Sequence, residues 1–232
     1  MGAPATAKRQ KSIIQLPTGS QRASRSHKLR SGKGAPPPTG GLPRYLTQAE
    51  LEAFRRAVVT GGSVRDITLF GLMYRFGLRA AETTYLLRED VDTARGRIRI
   101  RRAKHGDTKE YPLPRDLAPV LRRYFRHRED KGPFLFTGRE SNNQHGLRVL
   151  QVQRLFKRYA AAAGLPAQIA SHSLRHSIAV HSLEEGFGLE YVADLLGHTS
   201  IRSTAIYAKV TTTARDEMMR RLDRSRHVVS WR

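Results

Sequence analysis

The sequence predicts a mainly α-helical chain with one small antiparallel β-sheet, an α+β fold. Three observations predict it. From residue 45 onward, apolar residues recur at helical spacing in segment after segment. One stretch, RGRIRIRRAKHGDTKEYPLP at 95–114, breaks that period and alternates apolar with polar residues instead. Residues 1–44 show neither pattern. They carry Lys8, Arg9, Lys11, Arg22, Arg25, Lys28, Arg30, Lys33 and Arg44, with no acidic residue before Glu50, and the Pro/Gly-rich SGKGAPPPTGGLP at 31–43 cannot bury a core. We read 1–44 as a disordered basic arm and 45–232 as the folded domain.

The elements follow in order. YLTQAELEAFRRAV, 45–58, holds Thr47 and Glu50 as a T-x-x-E capping box ahead of an apolar run, so a helix begins there. VRDITLFGLMYRFGL, 64–78, is apolar on most faces and reads as a mostly buried helix stopped by Gly77. AAETTYLL gives a short helix after Arg79. In 95–114, Ile98 and Ile100 alternate with arginines, KHGD makes the turn, and Tyr111 and Leu113 alternate on the return: a hairpin with one basic face. Residues 115–128 and 147–163 have helical spacing. HSLRHSIAVHSLEEG, 172–186, and LEYVADLLG, 189–197, are helices ended by glycines. STAIYAKV gives a short helix, and TTARDEMMRRLDRSR a last, detached one.

Charge then narrows the function. The chain has 42 Lys+Arg against 20 Asp+Glu, a formal +22. Such an excess repels itself in the folded state, which points to an anionic partner. Most of the cations are arginines, whose fork holds phosphate bidentately. Nucleic acid is the first partner this suggests, and an acidic membrane surface the second. With no cysteine, disulfides and thiolate chemistry are excluded. No apolar run approaches the ~20 residues that span a bilayer, and SIIQL is too short for a signal peptide. The protein is expected to stay in the compartment where it is made.

If the partner is DNA, one tyrosine stands out: Tyr207, in LGHTSIRSTAIYAK. A phenol that attacks a backbone phosphate needs guanidinium groups for the nonbridging oxygens, an acid for the leaving oxygen and a base for its own proton. Suitable groups stand in unusual settings. Arg79 follows Gly77-Leu78 between two apolar helices. His172 and Arg175 share a helical face, His198 follows a helix-ending glycine, and Lys104 sits in the hairpin turn. Each also has an ordinary reading: a salt bridge from Arg79 to Glu82, helix caps for the histidines, a solvated turn lysine. His172 and His176 are four apart like H-E-x-x-H, but Ser173 replaces its Glu, so no metal is expected.

Taken together, these residues resemble the tyrosine recombinase (phage integrase) family. FGLRAAETTYL carries that family's G-L-R-x-x-E pattern at Arg79 and Glu82. HSLRHSIAVHSLEEGFGLEYVADLLGHTSIRSTAIYAKV, 172–210, carries its H-x-L-R-H core, its L-L-G-H turn and the step from His198 to Tyr207. The resemblance covers roughly residues 45–215 and implies the family's catalytic-domain fold. It implies Tyr207 as nucleophile, leaving a 3′-phosphotyrosyl bond and a free 5′ hydroxyl. Arg79 and Arg175 would clamp the nonbridging oxygens with His198 as a further donor. His172 would be the general base, Lys104 the general acid, and Glu82 a structural support for Arg79. Lys109 stands close enough to Lys104 to compete for that role.

The implied activity is site-specific DNA recombination: integration, excision or inversion, with no cofactor. The implied partners are double-stranded DNA with an inverted-repeat site, a homotetramer on synapsed DNA and an accessory DNA-bending protein. The implied location is the bacterial cytoplasm, at the nucleoid, with no membrane. Most family members carry a helical core-binding domain ahead of the catalytic one. Here only the basic arm precedes Tyr45, so the layout resembles the short recombinases of fimbrial phase inversion. A catalytically silent DNA-binding protein of the same fold and a type IB topoisomerase are the alternatives. The full set of polar residues argues against the first, the His198 turn and C-terminal helix against the second.

Overall fold

The chain becomes regular at its first helix cap. Thr47 Oγ1 accepts from the Glu50 amide at 3.2 Å, and the Glu50 carboxylate accepts from Thr47 N at 2.9 Å. This reciprocal cap starts helix α1, Gln48–Gly61, three residues later than the apolar pattern begins. The computed structural model describes residues 43–102, 108–138, 146–210, 219–220 and 223–224. The arm up to residue 42, the hairpin turn with Lys104 and most of 212–232 lie outside the described residues.

Helices α2 (Val64–Arg75), α3 (Ala80–Tyr85), α4 (Leu117–His127), α5 (Val149–Ala162), α6 (His172–Glu184) and α7 (Leu189–Leu196) fall where the periodicity predicts them. The alternating stretch forms β2 (Arg97–Ile100) and β3 (Lys109–Pro112), antiparallel, with Ile98 opposite Tyr111. A two-residue strand, β1 (Val91–Asp92), pairs with β2 and completes a sheet of order β1-β2-β3. β1 has no alternation to announce it: two residues are shorter than one period of burial. Tyr207 lies on a run of 3-10 turns, Ala205–Val210, rather than an α-helix, with its amide bonded to Thr204 O at 3.0 Å. No helix among the described residues is long and apolar enough to cross a membrane.

Among the described residues, two apolar clusters hold the fold. The larger joins α1, α2, α4, α5 and the sheet. Phe54 meets Phe70 at 5.3 Å and Phe156 at 4.9 Å between ring centroids. Buried Asp66 ties α2 to α5 by accepting from the Tyr159 hydroxyl at 2.6 Å. The smaller cluster packs α6 on α7 through Ala179, Val180, Leu183, Val192 and Leu196, and takes in Tyr207. A long-range bond, Leu46 N to Ser177 Oγ at 2.8 Å, ties the lead into α1 onto α6. The second cluster sets the site: it fixes the face of α6 against the end of α7 and the turns beyond.

Candidate active site

The site begins where two helices end. α2 stops at Phe76, and Gly77 turns the chain with φ 55°. A Cβ on Gly77 would lie 2.6 Å from Leu196 Cδ2, so conformation and space both require glycine. The turn delivers Arg79 to the N-cap of α3. α7 ends the same way: Gly197 has φ 63°, and the His198 amide closes the turn on Ala193 O at 2.9 Å. Both junctions thus place a polar side chain just past an apolar helix.

Two buried guanidinium groups bind these helix ends together. Arg175, 2% exposed on the inner face of α6, donates from Nη1 to Gly77 O at 2.6 Å and from Nη2 to Leu196 O at 2.7 Å. Arg102, just beyond β2, donates from Nη2 to Phe76 O at 2.8 Å and also to Leu195 O. The last carbonyls of a helix lack intrahelical donors and carry its negative partial charge, so buried cations suit them. The counter-charge is Glu82, 1% exposed. It accepts from Arg79 N at 2.9 Å, Arg79 Nη1 at 2.8 Å and Arg102 Nη1 at 3.1 Å, with Arg175 Nη1 at 3.9 Å. Burial works to raise the Glu82 pKa, but the Arg79 amide and the charges of Arg102, Arg175 and Arg79 hold it below its ordinary value.

Tyr207 stands beside this network, 1% exposed. Its hydroxyl is bonded to His176 Nδ1 at 2.5 Å. Burial pushes the phenol pKa up to about 12, against the opposing pull of Arg175. Burial, with His172, Arg175 and His198 beyond it, pulls His176 down to about 4. His172 stands exposed at the face of the site, its ring edge-on to His176 at 4.5 Å. The protein packed around it and the charges of Arg175 and Arg79 lower its pKa too. His198 bonds through Nδ1 to Thr204 Oγ1 at 2.8 Å, and burial together with Arg175, Arg79 and Arg102 brings it down to about 4. Burial first, then Arg79 and Arg102, lowers Arg175 to about 10, so it stays a cation at neutral pH.

Arg79, His172, Arg175, His198 and Tyr207 therefore gather in one place, from stretches far apart in sequence. Lys104 falls outside the described residues. Its neighbour Lys109 pairs with Asp194 on α7. Two groups escape the sequence reading. His176 enters it as a failed metal partner and as the last residue of the H-x-L-R-H core, with no role given to it, although its i+4 step from His172 puts both on one helical face. Arg102 reads as one more cation of the hairpin, although alternation places it on the Ile98–Ile100 face, which is buried. The arrangement offers a neutral base against a buried phenol, beside fixed cations suited to an oxyanion.

Comparison with known proteins agrees with this geometry. The model of the phage integrase family matches residues 44–214. The chain is 34% identical over 180 residues to tyrosine recombinase XerA of Pyrococcus furiosus, covering 78% of this chain and 62% of that protein. It is 34% identical over 170 residues to the type 1 fimbriae regulatory protein FimE of Escherichia coli, covering 71% of this chain and 84% of that protein. The chain thus spans less than two thirds of the XerA relatives it matches. Its fold is that of the XerH site-specific recombinase in the post-cleavage complex with its palindromic difH substrate. The TM-score is 0.65 at 22% identity, over 77% of this chain and 53% of the other.

Proposed function

The chain belongs to the phage integrase family, and from that premise we propose that it is a site-specific DNA recombinase that cuts and rejoins strands through a 3′-phosphotyrosyl intermediate. The observation that carries this is the convergence of Arg79, His172, Arg175 and His198 around the buried hydroxyl of Tyr207. A protein that only binds DNA has no use for a phenol paired with a neutral imidazole.

Tyr207 is the nucleophile toward a backbone phosphorus. Arg79 and Arg175 meet the nonbridging oxygens, with His198 as a further donor. Arg175 spends one N–H of each terminal nitrogen on a helix-end carbonyl and keeps further donors of its five for a ligand. Lys104 protonates the leaving 5′ oxygen. His172, the general base that the family resemblance implies, stands at the face of the site with its ring against His176, at the end where the phenol proton leaves. The phosphotyrosine conserves the bond energy, so rejoining needs no nucleotide cofactor and no metal. The substrate is double-stranded DNA with an inverted-repeat site, recombined by a homotetramer on synapsed duplexes with an accessory DNA-bending protein. The reaction takes place at the nucleoid, in the bacterial cytoplasm.

The resting site is held off. Burial raises the Tyr207 phenol to about 12 and lowers the facing His176 imidazole to about 4, so the proton stays on Tyr207 before substrate binds. An anionic phosphate among the cations raises the histidine pKa values, and bond formation to phosphorus removes the phenolate as it forms. Attack and proton loss are therefore coupled.

The test uses a library of duplexes with a fixed nick and random flanks. Cleavage near the nick frees a short 5′-hydroxyl fragment and traps the protein. Wild-type protein forms an SDS-resistant adduct; Tyr207→Phe binds DNA and forms none. Absence of adduct in the wild type would leave the silent binder. Adduct that never resolves into a recombinant junction with a second duplex would leave the topoisomerase.

A further inference from the structure

We infer that His176 is the group that receives the Tyr207 proton during strand cleavage, a catalytic residue distinct from the six of the proposed set. The inference rests on the recombinase reading above. Its ground is contact. The only hydrogen bond the Tyr207 hydroxyl makes among the described residues is to His176 Nδ1, at 2.5 Å. His172 makes no hydrogen bond to Tyr207 among the described residues; its ring meets His176 edge-on instead. A base must lie within hydrogen-bond reach of the proton it takes, and among the described residues His176 alone does so.

The surroundings favour this role over a purely structural one. Accepting at Nδ1 requires the neutral ring with its proton on Nε2. His176 faces His172 from its own helix, Arg175 beside it, His198 past the end of α7 and Tyr207 on the 3-10 turns. Cations and desolvation keep the ring neutral in the absence of DNA. The ring is half-buried, and its contact partner is itself enclosed, so water does not compete for the phenol. The histidine is also placed independently of the tyrosine. Its neighbours Arg175 and Ser177 fix α6 against Gly77, Leu196 and Leu46.

The step balances. The Tyr207 O–H bond breaks, its proton passes to His176 Nδ1, and the oxygen forms the bond to phosphorus. The bond from phosphorus to the 5′ oxygen breaks, and that oxygen takes a proton from the acid. The His176 imidazolium then holds the proton that Tyr207 recovers when a 5′ hydroxyl attacks in reverse.

The experiment uses the full chain and a nicked duplex recovered as covalent adduct by wild-type protein from the random library. A second duplex carries sulfur in place of the bridging 5′ oxygen, a leaving group that departs without a proton. His176→Ala should bind as wild type and lose adduct formation by about 100-fold or more, the usual range for one proton-transfer group. The sulfur duplex should not restore it, whereas added imidazole should in part. His176→Asn keeps a hydrogen-bond acceptor but cannot take the proton, so it too should stay impaired while its thermal unfolding matches wild type. Wild-type rates in His176→Asn would make His176 a positioning residue. Rescue of His176→Ala by sulfur would make it the acid. Either result overturns the inference and leaves the recombinase reading intact. If wild-type protein captures no duplex, that reading fails and the inference with it.

Discussion

Glu82→Gln removes one charge and changes the shape of the site very little. Glu82 is the buried carboxylate for Arg102 and Arg175, whose side chains are 1% and 2% exposed, and for Arg79, at 36%. Arg79 is partly exposed, so its charge can turn to solvent and it contributes less. Arg102 and Arg175 cannot move their charge into water without releasing the ends of α2 and α7. The glutamine amide also presents donors to donors. Removing one partner of a buried ion pair costs about 3–5 kcal/mol. At about 2–4 °C per kcal/mol for a chain of this size, Tm should fall by roughly 6–20 °C. pH gives a second reading. The folded protein holds this carboxyl below its ordinary 4.5. Its stabilisation is therefore full above that value and is lost as pH falls through the lowered folded value. The Tm difference between wild type and variant should be large at pH 7 and shrink as acidification below 4.5 carries the carboxyl through its lowered folded value. Calorimetry across that range measures both. A variant within about 2 °C of wild type at neutral pH, too small a change for any buried charge, would refute the view that Glu82 holds the arginines.

Arg175→Lys should weaken the fold as well as the hold on phosphate. A lysine cannot bond Gly77 O and Leu196 O together, so urea unfolding should shift as well as adduct formation, each by about 2–4 kcal/mol; unchanged stability with impaired cleavage would confine Arg175 to the phosphate. Deleting residues 1–44, with nine Lys/Arg and no acid, should weaken DNA binding and flatten its salt dependence without moving the cleavage position. The log–log slope should flatten by about 0.9 for each phosphate that the arm neutralises. A slope unchanged in the truncated protein would show that the arm neutralises none.

The sequence by itself determined the helices, the hairpin and the identity of most polar groups at the site. Those features are local. A helix face repeats every three to four residues, a strand face every two, and a cap spans three, so all are written in short windows. Gly77 and Gly197 were legible for the same reason: each ends an apolar run. Spaced residues such as His172, Arg175, His198 and Tyr207 were legible as a pattern but not as a geometry. The tertiary structure decided which groups touch. The hydrogen bond from Arg175 to Gly77 O joins residues 98 apart, that from Arg102 to Leu195 O residues 93 apart, and that between His176 and Tyr207 residues 31 apart. No periodicity reports on such pairs, because the packing of α6 on α7 and α2 sets them rather than the propensity of either partner. In the sequence Arg102 is one more cation of the hairpin; two helix ends and one carboxylate enclose it only in the fold. His176 looked like a spare histidine until the second cluster brought the phenol to its Nδ1. A buried charge or proton acceptor takes its role from whatever desolvates and faces it, and that is fixed only when distant segments close around it.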